Sequence, residues 1–113
     1  ADHPTACITI PKDWDALPDG LCIDAEGKLW IALFGGGAVT RWDPQDGRLM
    51  QTVELPCRQV TSCCFGGPDL DQLLITTARR GLDAEALGEQ PLAGGLFLIK
   101  LGIQGCRADH FQI

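Results

Sequence analysis

The chain has 113 residues and a formal net charge of −6, with 45% hydrophobic and 21% charged residues, which are the values of one ordinary globular domain. The acidic balance argues against nucleic acid and anionic membrane surfaces as partners, because binding to phosphate needs a basic stripe and the nine Lys and Arg residues are dispersed. Apolar runs are far shorter than the roughly 20 residues that span a bilayer, so the sequence predicts no transmembrane segment.

The first half of the chain predicts short strands separated by turns that contain glycine. Strand-like runs occupy residues 20–23, 28–33, 38–42 and 48–55. The turns between them lie at 24–27, 35–37 and 43–47. Gly27 suits a turn position with a positive φ angle. This half is therefore predicted as a unit of four strands.

The second half repeats the same order, with one long insertion. Strands are predicted at 60–65, 72–78, 95–101 and 106–112, with a turn at 66–71. A connection at 79–94 replaces the short glycine turn of the first half, and connections of this length tend to be functional. Within it, residues 83–88 carry the helical signal of the chain, and Gly88 is expected to end the helix.

The two halves are related by a repeat. Cys64 follows Cys22 by 42 residues, and Leu73 follows Leu29 by 44. A period in the low forties with four strands per repeat is typical of a β-propeller blade. The predicted fold class is all-β, two blades in one partial domain over residues 1–113, with one blade at about 17–56 and the next at about 59–113. A single eight-stranded sandwich is the alternative that the pattern leaves open.

Two blades cannot close a ring. Each blade of a propeller buries both faces against its neighbours, so a pair of blades leaves two apolar faces open. Exposed apolar patches of that size indicate a missing partner. The sequence therefore predicts a fragment of a larger propeller, or a chain that completes itself by assembly.

The six cysteines leave a disulfide framework open as an interpretation. However, Cys22, Cys63 and Cys64 lie in apolar, strand-like runs, where cysteine behaves as a small hydrophobic residue. The chain also lacks a C-x-x-C pair for zinc, and its N-terminus lacks the basic-then-apolar pattern of a signal peptide. A reduced, cytoplasmic protein is therefore expected.

Strand direction separates the connections into two ends. Asp19, at the head of the innermost strand, defines the top. Because successive strands alternate in direction, three connections share that end, namely 34–37, 55–60 and 79–94. The turns at 24–27 and 43–47 fall at the bottom, where Asp24, Asp43 and Asp46 are expected to cap backbone amides.

Three groups of motifs lie between residues 17 and 101. They are PDG at 18–20 with DAEGKLWIA at 24–32, TSCCFGGPD at 61–69 with ITTAR at 75–79, and QPLAGGLF at 90–97. In this order and spacing they resemble the SMP-30/gluconolactonase/regucalcin family. The resemblance implies a six-bladed propeller of which this chain is the C-terminal third. It also implies hydrolysis of sugar lactones with a divalent metal ion in the central channel.

The resemblance implies a role for one residue above all. In this family the metal is held by a Glu, one or two Asn and the Asp of the Pro-Asp-Gly motif, which here is Asp19. The same Asp19 is a candidate general base for the water that attacks the lactone carbonyl. Since the chain contains no Asn, the other ligands are expected in N-terminal blades, and this chain alone is expected to be inactive. The ion is left open among Ca²⁺, Zn²⁺, Mg²⁺ and Mn²⁺.

The long connection at 79–94 is expected at the rim over the substrate. There Arg79, Arg80 and Glu89 are candidates for contact with a sugar lactone. The other expected partners are the missing N-terminal blades or a self-assembled equivalent. Two alternative functions stay open: a calcium-binding regulatory protein of regucalcin type without significant catalysis, and a propeller enzyme similar to strictosidine synthase.

Overall fold

The computed structural model describes residues 8–105, which form two antiparallel sheets that follow one another along the chain. The first sheet holds strands β1 (Leu17–Ile23), β2 (Leu29–Phe34), β3 (Ala38–Asp43) and β4 (Arg48–Glu54) in that order. The second holds β5 (Val60–Gly66), β6 (Gln72–Thr77) and β7 (Leu96–Lys100). All seven strands overlap predicted ones, and the prediction for 106–112 falls outside the described residues.

The all-β prediction is confirmed, with two short helices beside the sheets. A 3-10 helix covers Lys12–Trp14, and α1 covers Ala84–Glu89 in the connection between β6 and β7. The Asp83 side chain caps α1 by accepting a 2.8 Å hydrogen bond from the Ala86 amide. The expected end at Gly88 is wrong by one residue, because the last helical bond is donated by the Gln90 amide to the Ala86 carbonyl. Up-and-down sheets in succession are consistent with part of a propeller; the blade count stays a prediction.

The main core lies between the two sheets. The first sheet contributes Trp30, Ala32 and Val39, and the second packs Val60, Cys63, Leu73 and Ile75 against them. Each of these side chains is buried. Because burial of a large apolar side chain stabilises a fold by about 1.5–3 kcal/mol, this layer is what holds one sheet against the other.

The outer face of the first sheet is partly covered by the chain itself. Ile31, Leu33 and Trp42 form a second buried cluster on that face. The segment before β1 packs onto it through four residues: Ile8, Ile10, Trp14 and Ala16. The rings of Trp14 and Trp42 lie 6.0 Å apart at an angle of 39°. Of the two apolar faces that the sequence predicts to be open, this one is therefore partly covered by the chain itself.

The far face of the second sheet is open among the described residues. Leu96 and Leu98 project from β7 with 65% and 59% of their surface exposed. Leu98 pairs with Leu74, which in turn pairs with the exposed Cys64, so these side chains share one face. This face has the exposed apolar surface that the sequence predicts for an unpartnered blade. Within residues 8–105 no helix is long and apolar enough to cross a membrane.

The bottom turn of the first sheet is organised around a buried carboxylate. Asp24 Oδ1 accepts hydrogen bonds from the amides of Glu26 (2.9 Å) and Lys28 (3.0 Å), which confirms the predicted turn cap. Its Oδ2 accepts from Arg41 Nε (2.8 Å) and Trp30 Nε1 (2.9 Å), two bonds that the sequence did not predict. Asp24 also forms a bridge with Gly105, so this turn joins the two sheets.

Candidate functional site

Asp19 lies in a β-bulge on the edge strand β1. Pro18 pairs with Leu33 and Leu21 pairs with Ile31, so that Asp19 and Gly20 together oppose a single residue of β2. A bulge of this kind redirects a side chain and occurs often beside active sites. Asp19 is exposed, and its carboxylate makes no hydrogen bond or ion pair with any residue from 8 to 105. The carboxylate is therefore available to a ligand.

Gly20 allows the edge strands of the two sheets to touch. A Cβ atom at Gly20 would lie 2.7 Å from the Cβ and 2.9 Å from the Cα of Ser62 on β5. Two residues after Gly20 and one residue after Ser62, the Sγ atoms of Cys22 and Cys63 lie 3.6 Å apart. Strands β1 and β5 therefore run side by side in the same direction. In the Pro-Asp-Gly motif, only glycine leaves room for this approach, and the aspartate occupies the exposed position next to it.

A second bulge lies at the equivalent position of β5. Val60 pairs with Thr77 and Ser62 pairs with Thr76, which leaves Thr61 as the extra residue. The hydroxyls of Thr61 and Thr76 lie 2.7 Å apart and are hydrogen-bonded. Sequence analysis assigned no role to Thr61, although the 42-residue repeat that aligns Cys22 with Cys64 also aligns Asp19 with Thr61.

Three connections meet at the top, as strand direction predicted. The amides of Gly35 (2.9 Å) and Gly37 (3.0 Å) both donate to the Arg58 carbonyl. The Arg58 amide donates to Gln90 Oε1 (3.0 Å), which ties the link after β4 to the long connection. Gly35 and Gly37 have φ angles of 87° and 65°, which only glycine adopts readily. The glycines thus shape the turn that receives Arg58.

The three predicted rim residues lie on the long connection and are exposed. The aliphatic part of Arg79 packs against Gly94, whose Cβ position lies 3.1 Å from Arg79 Cδ. The amide nitrogen of Gln59, oriented to satisfy its neighbours, donates to the carbonyls of Ala78 (3.1 Å) and Arg80 (3.2 Å). Within the described residues no hydrogen bond or ion pair joins Asp19 to Arg79, Arg80 or Glu89. The connection that carries these residues lies at the top, without a hydrogen bond or ion pair to Asp19 among the described residues.

Comparison with known protein families shows which family this chain belongs to. A family model described as the SMP-30/Gluconolactonase/LRE-like region matches residues 2–79. The chain belongs to this family. The resemblance drawn from the sequence motifs is thereby confirmed.

Relatives and solved structures of the SMP-30/gluconolactonase/LRE-like family agree with this assignment. Regucalcin of Danio rerio is 56% identical over 97 residues, which are 85% of this chain and 32% of that protein. Regucalcin of Homo sapiens is 53% identical over 92 residues, 80% of this chain and 31% of that protein. The crystal structure of a calcium-binding protein, regucalcin, from Agrobacterium tumefaciens has a TM-score of 0.74 at 40% identity, over 79% of this chain and 30% of that one. A luciferin-regenerating enzyme gives 0.69 at 40% identity, with the same coverage.

This chain spans about one third of the length of the curated relatives that it matches. Whether this third of the fold could hold a metal ion depends on the ligands that the described residues supply. The oxygen atoms of Asp19 are donors of the type that hard divalent cations prefer. Among residues 8–105, however, no group of three or more His, Cys, Asp or Glu side chains lies close enough together to hold one. Asp19 therefore fits as one ligand of a metal, and the described part of this family member does not form a complete site.

Proposed function

We propose that this chain is the C-terminal two blades of a divalent-metal-dependent sugar lactone hydrolase of gluconolactonase type. The observation that carries the proposal is the exposed carboxylate of Asp19 in the bulge of β1, which has no hydrogen-bond or ion-pair partner among residues 8–105, in a chain of the SMP-30/gluconolactonase/LRE-like family. The chain spans about one third of its relatives, so the remaining metal ligands would come from N-terminal blades.

Asp19 has two roles in this proposal. One carboxylate oxygen contributes to the metal site, and a bound divalent ion would polarise the lactone carbonyl and make an attacking water more acidic. Asp19 accepts the proton of that water as a general base. No side chain among residues 8–105 competes for the carboxylate, which supports both roles.

The connection that carries Arg79, Arg80 and Glu89 forms part of the rim in this proposal. Its support is the hydrogen bond between Gln90 and the Arg58 amide at the top of the fold. Cationic and carboxylate groups at that rim suit the hydroxyl and carboxyl groups of a sugar acid or its lactone. The rest of the ring, or an equivalent formed by assembly, completes the channel.

Calcium binding without significant catalysis is the second candidate function. The structure with a TM-score of 0.74 is described as a calcium-binding protein, and many relatives of this chain are named regucalcin. A lone Asp19 carboxylate serves either function, because an oxygen ligand suits Ca²⁺. Turnover, rather than metal binding, separates the two candidates.

The test uses the full-length protein with Asp19→Ala and Asp19→Asn. The control is Asp69→Asn, because Asp69 is also an exposed aspartate but lies in the turn at the opposite end of β5. Ca²⁺ binding is measured by titration calorimetry and hydrolysis of glucono-1,5-lactone by acid release. Both Asp19 variants should weaken Ca²⁺ binding by at least about tenfold and lower kcat by at least about 100-fold.

The outcomes separate the proposals. Unchanged turnover and metal affinity in Asp19→Ala would contradict both roles of Asp19. The wild-type protein could instead bind Ca²⁺ without hydrolysing the lactone, with binding lost in the Asp19 variants. That result would establish the calcium-binding candidate. The 113-residue chain on its own should show no metal-dependent hydrolysis, since most of the ligands are absent from it.

A further inference from the structure

The bulges of β1 and β5 are equivalent in register as well as in sequence. In β1 regular pairing is interrupted after Pro18 and resumes at Leu21 with Ile31, and in β5 it is interrupted after Val60 and resumes at Ser62 with Thr76. The polar residue in the bulge is the exposed Asp19 in the first sheet and the half-buried Thr61 in the second. Both inner strands therefore present one polar side chain at the same level of the fold.

The two bulges also adjoin one another in space. Gly20 and Ser62, the residues that follow Asp19 and Thr61, are in direct contact, with no room for a Cβ atom on Gly20. Because β1 and β5 run in the same direction, the side chains one step earlier on each strand belong to the same surface. A ligand held at Asp19 is thus next to the bulge of β5.

The residue opposite each bulge differs between the sheets. Asp19 lies across from Ala32, which offers it no polar partner, whereas Thr61 is hydrogen-bonded to Thr76 at 2.7 Å. When Thr76 donates in this pair, the Thr61 hydroxyl keeps its own proton for a ligand. When Thr61 donates, its oxygen still accepts from a ligand. A group that both donates and accepts is matched by another hydroxyl, which has the same two capacities.

We infer that Thr61 is a substrate-contacting residue that hydrogen-bonds a hydroxyl of the polyhydroxylated sugar acid or lactone bound at Asp19. The inference rests on the proposed function, and it adds a specificity-determining residue contributed by the second sheet. Thr61 selects hydroxylated ligands, while Asp19 holds the ion and the attacking water. Thr76 positions the Thr61 hydroxyl and does not itself touch the ligand.

The experiment compares Thr61→Val, which removes the hydroxyl at nearly constant shape, with Thr61→Ser, which keeps it. Thr52→Val is the control, because Thr52 is exposed on the outer strand β4, away from both bulges. The full-length protein is assayed for KM and kcat with glucono-1,5-lactone, and titrated calorimetrically with D-gluconate and separately with Ca²⁺.

Thr61→Val should raise KM and weaken gluconate binding by about tenfold, the effect of losing about one hydrogen bond. Thr61→Ser and Thr52→Val should stay within about twofold of wild type, and Ca²⁺ affinity should be unchanged in all three variants. Should Thr61→Val fail to fold, Thr61→Ala replaces it against the same Thr61→Ser reference.

An unchanged KM and gluconate affinity in the variant without the hydroxyl would overturn the inference. If Asp19→Ala abolishes turnover in the same series, only the role of Thr61 fails and the proposed function stands. If the protein proves to bind Ca²⁺ without hydrolysing lactones, the gluconate titration decides on Thr61 by itself. A loss of Ca²⁺ affinity in Thr61→Val would also contradict the inference, because it would make Thr61 part of the metal site.

Discussion

Arg41 Nε lies 2.8 Å from Asp24 Oδ2 in a buried ion pair at the bottom of the first sheet. The Arg41 guanidinium also donates to Glu26 (3.2 Å) and lies 5.8 Å from the centre of the Trp30 ring. Trp30 Nε1 donates to the same Asp24 oxygen at 2.9 Å. A buried pair of this kind adds little net stability relative to a well-packed apolar pair, but removing one partner leaves the other charge without compensation.

Asp24→Ala should therefore lower the free energy of unfolding by about 3–5 kcal/mol, because Arg41 Nε and Trp30 Nε1 lose their buried acceptor and Arg41 keeps only the exposed Glu26 as an ion-pair partner. Urea denaturation followed by tryptophan fluorescence measures the change. Asp46→Ala is the control, since Asp46 makes only an exposed ion pair with Arg48 and an exposed bond to the Arg48 amide, and their loss should cost about 1 kcal/mol. Equal losses in the two variants would show that the buried network does not stabilise the fold.

Gly20→Ala should destabilise the protein by about 1–3 kcal/mol, because the added methyl group overlaps Ser62 and forces β1 and β5 apart. Gly102→Ala is the matched control, since nothing lies within 4 Å of the Cβ position there. The double variant Gly20→Ala with Ser62→Gly should recover part of the loss. Additive losses in this cycle, measured by urea denaturation, would rule out the contact between the strands as the cause.

Because of the Cys22 thiol, we expect the folded chain to lose stability at alkaline pH. The hydrogen bond with Cys63, together with burial, raises the pKa of Cys22 far above its ordinary value of 9.0. The unfolded chain therefore releases a proton above pH 9.0 that the folded chain retains. A raised pKa in the folded state stabilises it below that pH, and stability falls as pH rises beyond it, by up to about 1.4 kcal/mol per pH unit.

Cys22→Ser tests this prediction, because serine does not ionise in that range. Unfolding free energies between about pH 8 and 10.5 should fall less steeply for Cys22→Ser than for wild type. Cys64→Ser, which removes an exposed thiol on the other face of β5, should follow the wild-type slope. Parallel curves for wild type and Cys22→Ser would mean that Cys22 ionises equally in the folded and unfolded chain.

Gln90→Leu should loosen the long connection at the top, because the Arg58 amide loses its acceptor at 3.0 Å. Gln90→Glu keeps an acceptor at the same reach and should preserve the contact. Hydrogen–deuterium exchange is expected to speed up at the Arg58 amide and along residues 79–94 in Gln90→Leu alone. Equal exchange in both variants would show that the connection is held by other contacts.

The sequence was sufficient for the strands and for the end of the fold at which Asp19 lies. Short apolar runs between glycine turns are local signals, and the predicted strands over residues 20–101 overlap the observed ones for that reason. The position of Asp19 followed from strand alternation and from the Pro-Asp-Gly motif. Its bulge did not, because a bulge depends on the register against β2.

Other features depend on contacts between distant positions. The Asp24–Arg41 pair joins a turn to β3 across 17 residues, and no local pattern marks it. The cover that Ile8 and Ile10 give to the first sheet comes from a segment without strand or helix periodicity. The role inferred for Thr61 depends on aligning the two sheets through their repeat. That alignment places Thr61 at the position that Asp19 holds in the first sheet, although the two residues differ in type.

Two isolated β-bridges connect the sheets, one near each end of the inner strands. Asp24 pairs with Gly105 at the bottom, and Phe34 pairs with Gln59 at the top. With both ends fixed, one sheet cannot twist relative to the other without breaking a backbone contact. The two bridges therefore also limit how far the bulges that carry Asp19 and Thr61 can move relative to one another. A ligand that binds at this surface should therefore meet a preorganised site, with little conformational cost on binding.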